Sequence, residues 1–315
     1  MPSPIVGELW AARVRRIDRS LGTAFLDLGH GSETLLNLTG DALRLTEGAL
    51  IAVEITSPAR RGKGPVGRFN GFEEGQPRLL TTAPPLETQL KAFASQQSLV
   101  TGPLAREVAD LAEAQVLAVE HGMPGGGSIA IETTRALIAI DVDLGGRGGG
   151  DPRRAMRQAN LAAISQAARL IRLKGLAGLV VMDLIGKGQD GEAITSAVKS
   201  AFEPDQPGVV VGPISRFGTL ELAIPRRQAP TIELLCDADG RLTPTTLALR
   251  LMRMAEQEGR ADPGGRLSLI CAPSVAQAAE AFLPDLAARI GPRYDLQPFA
   301  EAASFGADHL DVRIT

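Results

Sequence analysis

The run GLVVMDLIG over residues 178–186 constrains this chain more than any other stretch. Leu179–Ile185 is apolar at successive positions, the pattern of a central strand buried on both faces of a sheet. One acid, Asp183, interrupts it, and an ionised carboxylate in such a strand needs a partner. Helices are expected on either side. Asp151 and Pro152 make an N-cap and first-turn pair for a helix running to about Lys174, and a second helix is expected over Gly191–Phe202. Upstream, Ser128–Glu132 and Ala136–Asp143 read as a hairpin across Thr133–Arg135. Downstream, strands are expected at Gly208–Val211 and Thr219–Ile224. Residues 126–228 therefore form a mixed α/β unit.

A second acidic motif, AIDVDL, places Asp141 and Asp143 near the end of the strand before the long helix. Their i, i+2 spacing sets both side chains on one face of that strand, and that face is expected to be the one that enters the core. Two adjacent strands that each end in an acid can hold magnesium through one or two carboxylates, leaving waters on the ion. Such an ion lowers the pKa of a bound water and stabilises charge developing at phosphorus. The competing reading is that each aspartate caps a loop or pairs with an arginine. Gly145–Asp151 (GGRGGGD) leads into a helix N-terminus, where backbone amides attract phosphate. It lacks the GK[ST] ending of a Walker loop.

The remaining chain divides by composition. Residues 1–75 carry strands at Glu8–Ile17, Gly22–Leu28, Glu33–Leu38 and Leu50–Ser57, a spacing that suggests a small closed barrel of the OB type. Arg60, Arg61, Gly62, Lys63 and Gly64 follow as a basic loop. Residues 76–125 are a short helical linker region, with helices expected at Leu86–Ser95 and Leu104–His121. Residues 229–315 read as a small α/β domain. Its helix from Thr243 and Pro244 runs to about Glu258, a second helix covers Pro273–Ile290, and strands lie at Leu267–Cys271, Tyr294–Pro298 and Leu310–Ile314.

Charge narrows the functional classes. A net charge of -3 argues against a protein that coats nucleic acid nonspecifically, but a nuclease needs carboxylates and only local basic residues. Of the 33 basic residues, five are lysines. Arginine's planar fork suits phosphate oxygens, and coding bias explains the excess equally well. Two cysteines, Cys236 and Cys271, cannot build a disulfide framework. There is no signal-peptide pattern and no apolar run of membrane-spanning length. A soluble, cytoplasmic protein without membrane partners is expected.

The order of motifs then becomes specific. GGGSIAIETTRALIAIDVDLGGRGG, followed by NLAAISQAARLIRLKGLAGLVVMDLIG and ISRFGTLEL, resembles the catalytic core of the ribonuclease E/G family. The resemblance implies a DNase I-like core in which Asp141 and Asp183 hold catalytic magnesium, or manganese. It implies that Arg216, in Ser215-Arg216-Phe217-Gly218, lies beside the catalytic site, and that Asp143 stands where the family has asparagine. The barrel is similar to the family's RNA-binding module. Phe25 matches an aromatic that stacks a base, although a barrel core position suits it nearly as well. Lys63 matches a lysine that meets RNA, and Arg60 and Arg61 beside it suit phosphate contacts.

Departures from the family pattern matter too. Thr34-Leu35-Leu36 has no second aromatic. Residues 76–122 are short and lack the Arg-Thr pair of the family's 5′-phosphate sensor. Cys236 stands alone where a paired-cysteine zinc link is usual, so neither zinc nor a zinc-linked dimer is expected. The extra charge of Asp143 could tighten metal binding, favour a second ion or repel the scissile phosphate. The expected activity is magnesium-dependent endonucleolytic cleavage of single-stranded RNA, leaving 5′-phosphate and 3′-hydroxyl ends, without sensing of the RNA 5′ end. The alternative is an RNA-binding protein of the same family whose catalysis has been lost. A metal phosphohydrolase of small substrates is a third reading, which leaves the barrel unexplained.

Overall fold

Strand alternation builds the first module. The computed structural model describes residues 4–29, 31, 33–59, 64–94, 98–146, 151–186, 190–205, 208–299 and 306–314. In it β1 (Leu9–Asp18), β2 (Thr23–Asp27), β3 (Glu33–Asn37), β4 (Leu50–Ser57) and β5 (Val66–Phe72) close a ring in the order β1-β2-β3-β5-β4. β3 and β5 pair parallel and the other neighbours antiparallel. This closed five-stranded barrel is OB-like. Ala12, Val14, Ala24, Leu26, Leu36, Ile51, Val53 and Ile55 fill its interior. β5 was not expected from the sequence because glycine and asparagine weaken its strand pattern. Gly67 is there because a Cβ would lie 2.2 Å from Cγ2 of Val53, a side chain packed in the barrel core. β6 (Arg78–Thr81), also unexpected, adds to β1 outside the ring.

The mixed unit follows. After α1 (Leu86–Phe93) and α2 (Gly102–Leu117) come β7 (Glu120–Gly122), β8 (Ser128–Thr133), β9 (Ile138–Asp143), α3 (Pro152–Lys174) and β10 (Gly178–Asp183). α4 (Gly191–Ala201), β11 (Val210–Val211) and β12 (Thr219–Ile224) complete it. The sheet order is β11-β12-β10-β9-β8-β7, with β9 and β10 parallel. The helix expected over Leu104–His121 stops early. The Lys174 ammonium donates to the carbonyl oxygens of Val116 (2.9 Å) and Ala118 (2.6 Å), satisfying the end of α2 and freeing Glu120–Gly122 to pair with β8. α3 starts where expected: the Asp151 side chain accepts from Arg153 N and Pro152 occupies its first turn.

α3 and α4 contribute to a core with one face of this sheet. Ile129, Ile131, Ile138, Ile140, Val180, Met182, Leu220 and Leu222 meet Ala163, Ile164, Ala167, Ile171, Ile194 and Val198. The other face is open, and this corrects one expectation. β10 lies inside the sheet, but it is not buried on both sides. Val180 and Met182 are buried, whereas Leu179 is 46% exposed and Asp183 is exposed. Helices cover one face only, so the alternate residues meet solvent.

By contact, the chain splits into two units, Met1–Leu99 with Ala114–Thr231, and Val100–Glu113 with Ile232–Thr315. The second unit contains most of α5 (Thr231–Leu235), then α6 (Pro244–Ala261), β13 (Leu267–Cys271), α7 (Pro273–Ala279), α8 (Leu283–Ile290), β14 (Tyr294–Pro298) and β15 (Asp311–Ile314). β13 is the middle strand, parallel to β14 and antiparallel to β15. The single helix expected over Pro273–Ile290 is broken by a 3-10 turn at Glu280–Phe282. Pro284, in the first turn of α8, has no N–H to continue the earlier helix. No described helix is long and apolar enough to cross a membrane.

Candidate catalytic site

The parallel register of β9 and β10 sets Asp183 directly beside Asp141. Neighbouring strands lie about 4.8 Å apart, and successive side chains alternate between faces. Ile138, Ile140 and Val142 of β9 are buried, as are Val180 and Met182 of β10. Asp141, Asp143 and Asp183 therefore share the open face, and all three are exposed. This corrects the expectation that the acid-bearing side of β9 enters the core. Burial is not what makes the pair costly. Two like charges about 5 Å apart repel by about 1 to 3 kcal/mol between the dielectric of water and that of a protein surface. Neither Asp141 nor Asp183 makes a hydrogen bond or ion pair with any described residue.

Asp143 is differently employed. Its Oδ1 accepts from Gly145 N at 2.9 Å, which shapes the turn leaving β9. Of the glycine-rich loop, residues 147–150 lie outside the described residues. The turn carrying Arg216 comes to the same end of the sheet. Gly218 N donates to Ser215 O, Ser215 N donates to Thr219 O, and Gly218 has φ +92°. Thr219 is the cross-strand partner of Asp183, and Leu184 N donates to Gly218 O. Arg216 thus sits in a turn hydrogen-bonded to the backbone just beyond Asp183. Its guanidinium carbon is 4.8 Å from the centre of the Phe217 ring.

Two residues were not singled out from the sequence. Asn160, fully buried on α3, donates through Nδ2 to Ile185 O and accepts at Oδ1 from Ile185 N, each at 3.0 Å. It fixes the backbone two residues after Asp183. The signal was an amide on the same helix face as Ala163, Ile164 and Ala167. Phe217 is 77% exposed; an aromatic at a turn tip between serine and glycine was its signal. At the same end of the sheet, the Asp190 side chain accepts from Ala193 N to cap α4, with Arg157 of α3 at 3.4 Å.

On the barrel, Phe25 is half-buried on the outer side of β2, between the inward-facing Ala24 and Leu26. The core alternative for Phe25 is therefore excluded. Arg68 is engaged by Glu54, Nη2 to Oε2 at 2.6 Å. Arg60, Arg61 and Lys63 lie outside the described residues.

The model of the Ribonuclease E/G family matches residues 73–227, the segment that holds the acid pair and the Arg216 turn. This chain belongs to the ribonuclease E/G family. It is 33% identical over 149 residues to Ribonuclease E of Haemophilus influenzae, covering 44% of this chain and 16% of that protein. It is 34% identical over 140 residues to Ribonuclease E/G-like protein, chloroplastic, of Arabidopsis thaliana, covering 40% and 14%. It is 31% identical over 179 residues to Ribonuclease E of Escherichia coli, covering 53% and 17%. These matches span about a sixth of the length of each relative.

The donor set of this ribonuclease E/G core can be tested against the metals considered. Among the described residues no group of three or more His, Cys, Asp or Glu is placed to hold an ion. Magnesium does not require one: it binds through one or two carboxylates and keeps several waters. Asp141 and Asp183, adjacent, exposed and unpaired with any described residue, fit that need. A structural zinc site wants four close ligands, thiolates among them. Both cysteines are buried, and burial pushes both thiols up, away from the thiolate form.

Proposed function

We propose that this chain is a divalent-metal-dependent endoribonuclease that cleaves single-stranded RNA, using magnesium, or manganese, held by Asp141 and Asp183. The observation that carries the reading is their register: two carboxylates placed side by side on an open sheet face, with no described cation paired to them. The names of the relatives, Ribonuclease E among them, support the substrate class. When bound, the ion supplies a water of lowered pKa and positive charge opposite the charge developing at phosphorus. Arg216, beside Asp183, donates to the phosphate oxygens, as a planar guanidinium does well. Asn160 and the Asp143 turn hold the backbone on which these groups stand. The products carry 5′-phosphate and 3′-hydroxyl ends. The OB-like barrel holds the single strand through Phe25, with Lys63, Arg60 and Arg61 on phosphate. The action takes place in the cytoplasm.

Asp141→Asn and Asp183→Asn test this. Each is expected to lower magnesium-dependent cleavage of a single-stranded oligoribonucleotide by about a thousandfold or more, the scale of losing a main electrostatic element of a site. RNA affinity in EDTA is expected to survive. Cleavage at the parental rate in either variant removes the assignment. RNA binding by the parent chain without cleavage, in either metal, favours the catalytically inactive alternative. The short segment over residues 76–122 further leads us to expect equal cleavage rates on 5′-hydroxyl and 5′-monophosphate RNA. A marked preference for the monophosphate shows that a sensor persists.

A further inference from the structure

The outer surface of the barrel carries an arginine, stacked on Phe25, that has no part in the reading above. Arg16 of β1 and Phe25 of β2 are cross-strand partners, and the Arg16 guanidinium carbon lies 3.9 Å from the centre of the Phe25 ring. A β-bulge between Val14 and Arg16 accounts for their pairing, because the extra residue of a bulge re-aims its neighbours. The extra residue, Arg15, is taken up by Asp27, to which its Nε donates at 2.9 Å. Arg16 is left on the ring. Its nearest acid, Asp18, is 3.9 Å from Nη1, too far for a hydrogen bond. Asp18 is occupied by its own turn, accepting from Ser20 N, Ser20 Oγ and Leu21 N. Arg16 makes no hydrogen bond with any described residue, and its side chain is 58% exposed.

The stack continues across the barrel. Phe25 is opposite Leu35 of β3, and Leu35 is opposite Val66 of β5, so one row crosses four strands on the outside of the barrel. The row ends against a fixed anchor. A Cβ on Gly64 would fall 1.6 Å from Glu33 O, so only glycine allows the segment just after Lys63 to lie against β3.

We infer that Arg16 is a nucleic-acid-binding residue, and that its guanidinium plane is the platform on which a base of single-stranded RNA stacks. This rests on the reading of the barrel as the RNA-binding module. A guanidinium stacked on an aromatic ring offers a second flat, cationic face to a base. Its N–H donors, unused by any described residue, suit a neighbouring phosphate. The plane recognises stacking rather than base edges, so binding is tolerant of sequence. It also supplies a second flat surface in a barrel whose Thr34-Leu35-Leu36 segment has no aromatic.

The test is fluorescence anisotropy of a labelled single-stranded oligoribonucleotide with the full chain in EDTA. Arg16→Ala is expected to weaken binding roughly tenfold, the scale of one lost stacking partner. It should also reduce the slope of log affinity against log salt by about 0.7, one phosphate contact on a single strand. Arg16→Lys keeps the charge and loses the plane, so it should lower affinity while retaining the salt slope. Circular dichroism and melting of both variants report that the barrel is intact. Parental affinity in Arg16→Ala, or in Arg16→Lys, overturns the platform. The nuclease reading fails separately: it is lost if the parent binds this oligonucleotide but does not cut it in magnesium, whatever the Arg16 variants do.

Discussion

The second unit and the open sheet face of the first treat their acids differently. In the second unit, acids turned toward the protein meet arginine. Glu113 receives Arg250 and Arg253, Glu256 receives Arg260 and Arg289, and Asp295 receives Arg266. The open face of the first unit's sheet carries Glu120, Glu132, Asp141, Asp143, Asp183 and Glu221, and none of them pairs with a described arginine or lysine. Arginine is not scarce, with 28 in the chain beside five lysines. Arginine therefore meets acids that serve packing, whereas the acids of the open face stand without a described cationic partner, as the proposed metal site requires. The rival reading, in which Asp141 and Asp183 are structural partners of arginine, has no support in this arrangement.

The sharpest way to break that comparison is to neutralise one acid of each kind. Burial alone would raise the Glu256 carboxyl, but hydrogen bonds from Arg289 and Arg260 hold it below its ordinary range. A lowered folded-state pKa means stability that is present above the unfolded value and lost as pH falls through the folded one. Glu256→Gln is therefore expected to cost about 1–2 kcal/mol at neutral pH, less than a fully buried pair because its arginines are half exposed. That cost should fade at acid pH, where the parent loses the same interaction. Asp183→Asn should behave oppositely. In EDTA its melting temperature should equal or exceed the parent's, because a repulsion is relieved. Millimolar magnesium should raise the melting point of the parent and not of the variant, since only an ion that binds the native state stabilises it. If Asp183→Asn melts well below the parent in EDTA, the acid is structural and the contrast between the units disappears.

What could be read from the sequence, and what could not, follows from the same physics. Local chemistry was enough for α3, whose Asp151-Pro152 start is a self-contained cap, and for β12 and β13, whose bounds match the expected ones. The shared face of Asp141 and Asp143 follows from alternation alone. Which face that was could not be read, because it depends on where α3 and α4 lie and not on the strand. Nor could the register that puts Asp141 beside Asp183 and makes two separate acids a candidate site. β5 escaped because its Gly67 answers to Val53, a residue remote in sequence. Asn160 escaped for a like reason: an amide on an apolar helix face gains meaning only from Ile185, which the fold brings to it.

The smallest effect tests the comparison from inside the core. An unmatched polar atom there should cost stability and receive nothing. His121 of β7 is such a case: it is buried, and its Nε2 has no hydrogen-bond partner among the described residues. Burial holds its pKa below the usual histidine value, and the positive charges of Lys174 and Arg169 push the same way, against a backbone hydrogen bond at Ala118. With the folded pKa below 6.5, the unfolded chain takes up the proton first as pH falls, so the parent should lose stability below that value and hold a plateau above it. The slope from one such group cannot exceed about 1.4 kcal/mol per pH unit. His121→Leu removes the titrating group and keeps an apolar body in the core. Urea denaturation of parent and variant at about pH 5.5 and pH 7.5 should show the variant gaining on the parent at the lower pH. The same gap at both values would mean that the folded and unfolded chains hold the His121 proton equally tightly. Its Nε2 would then be met by water or another polar group, and an unmet polar atom would no longer separate this buried position from the open face.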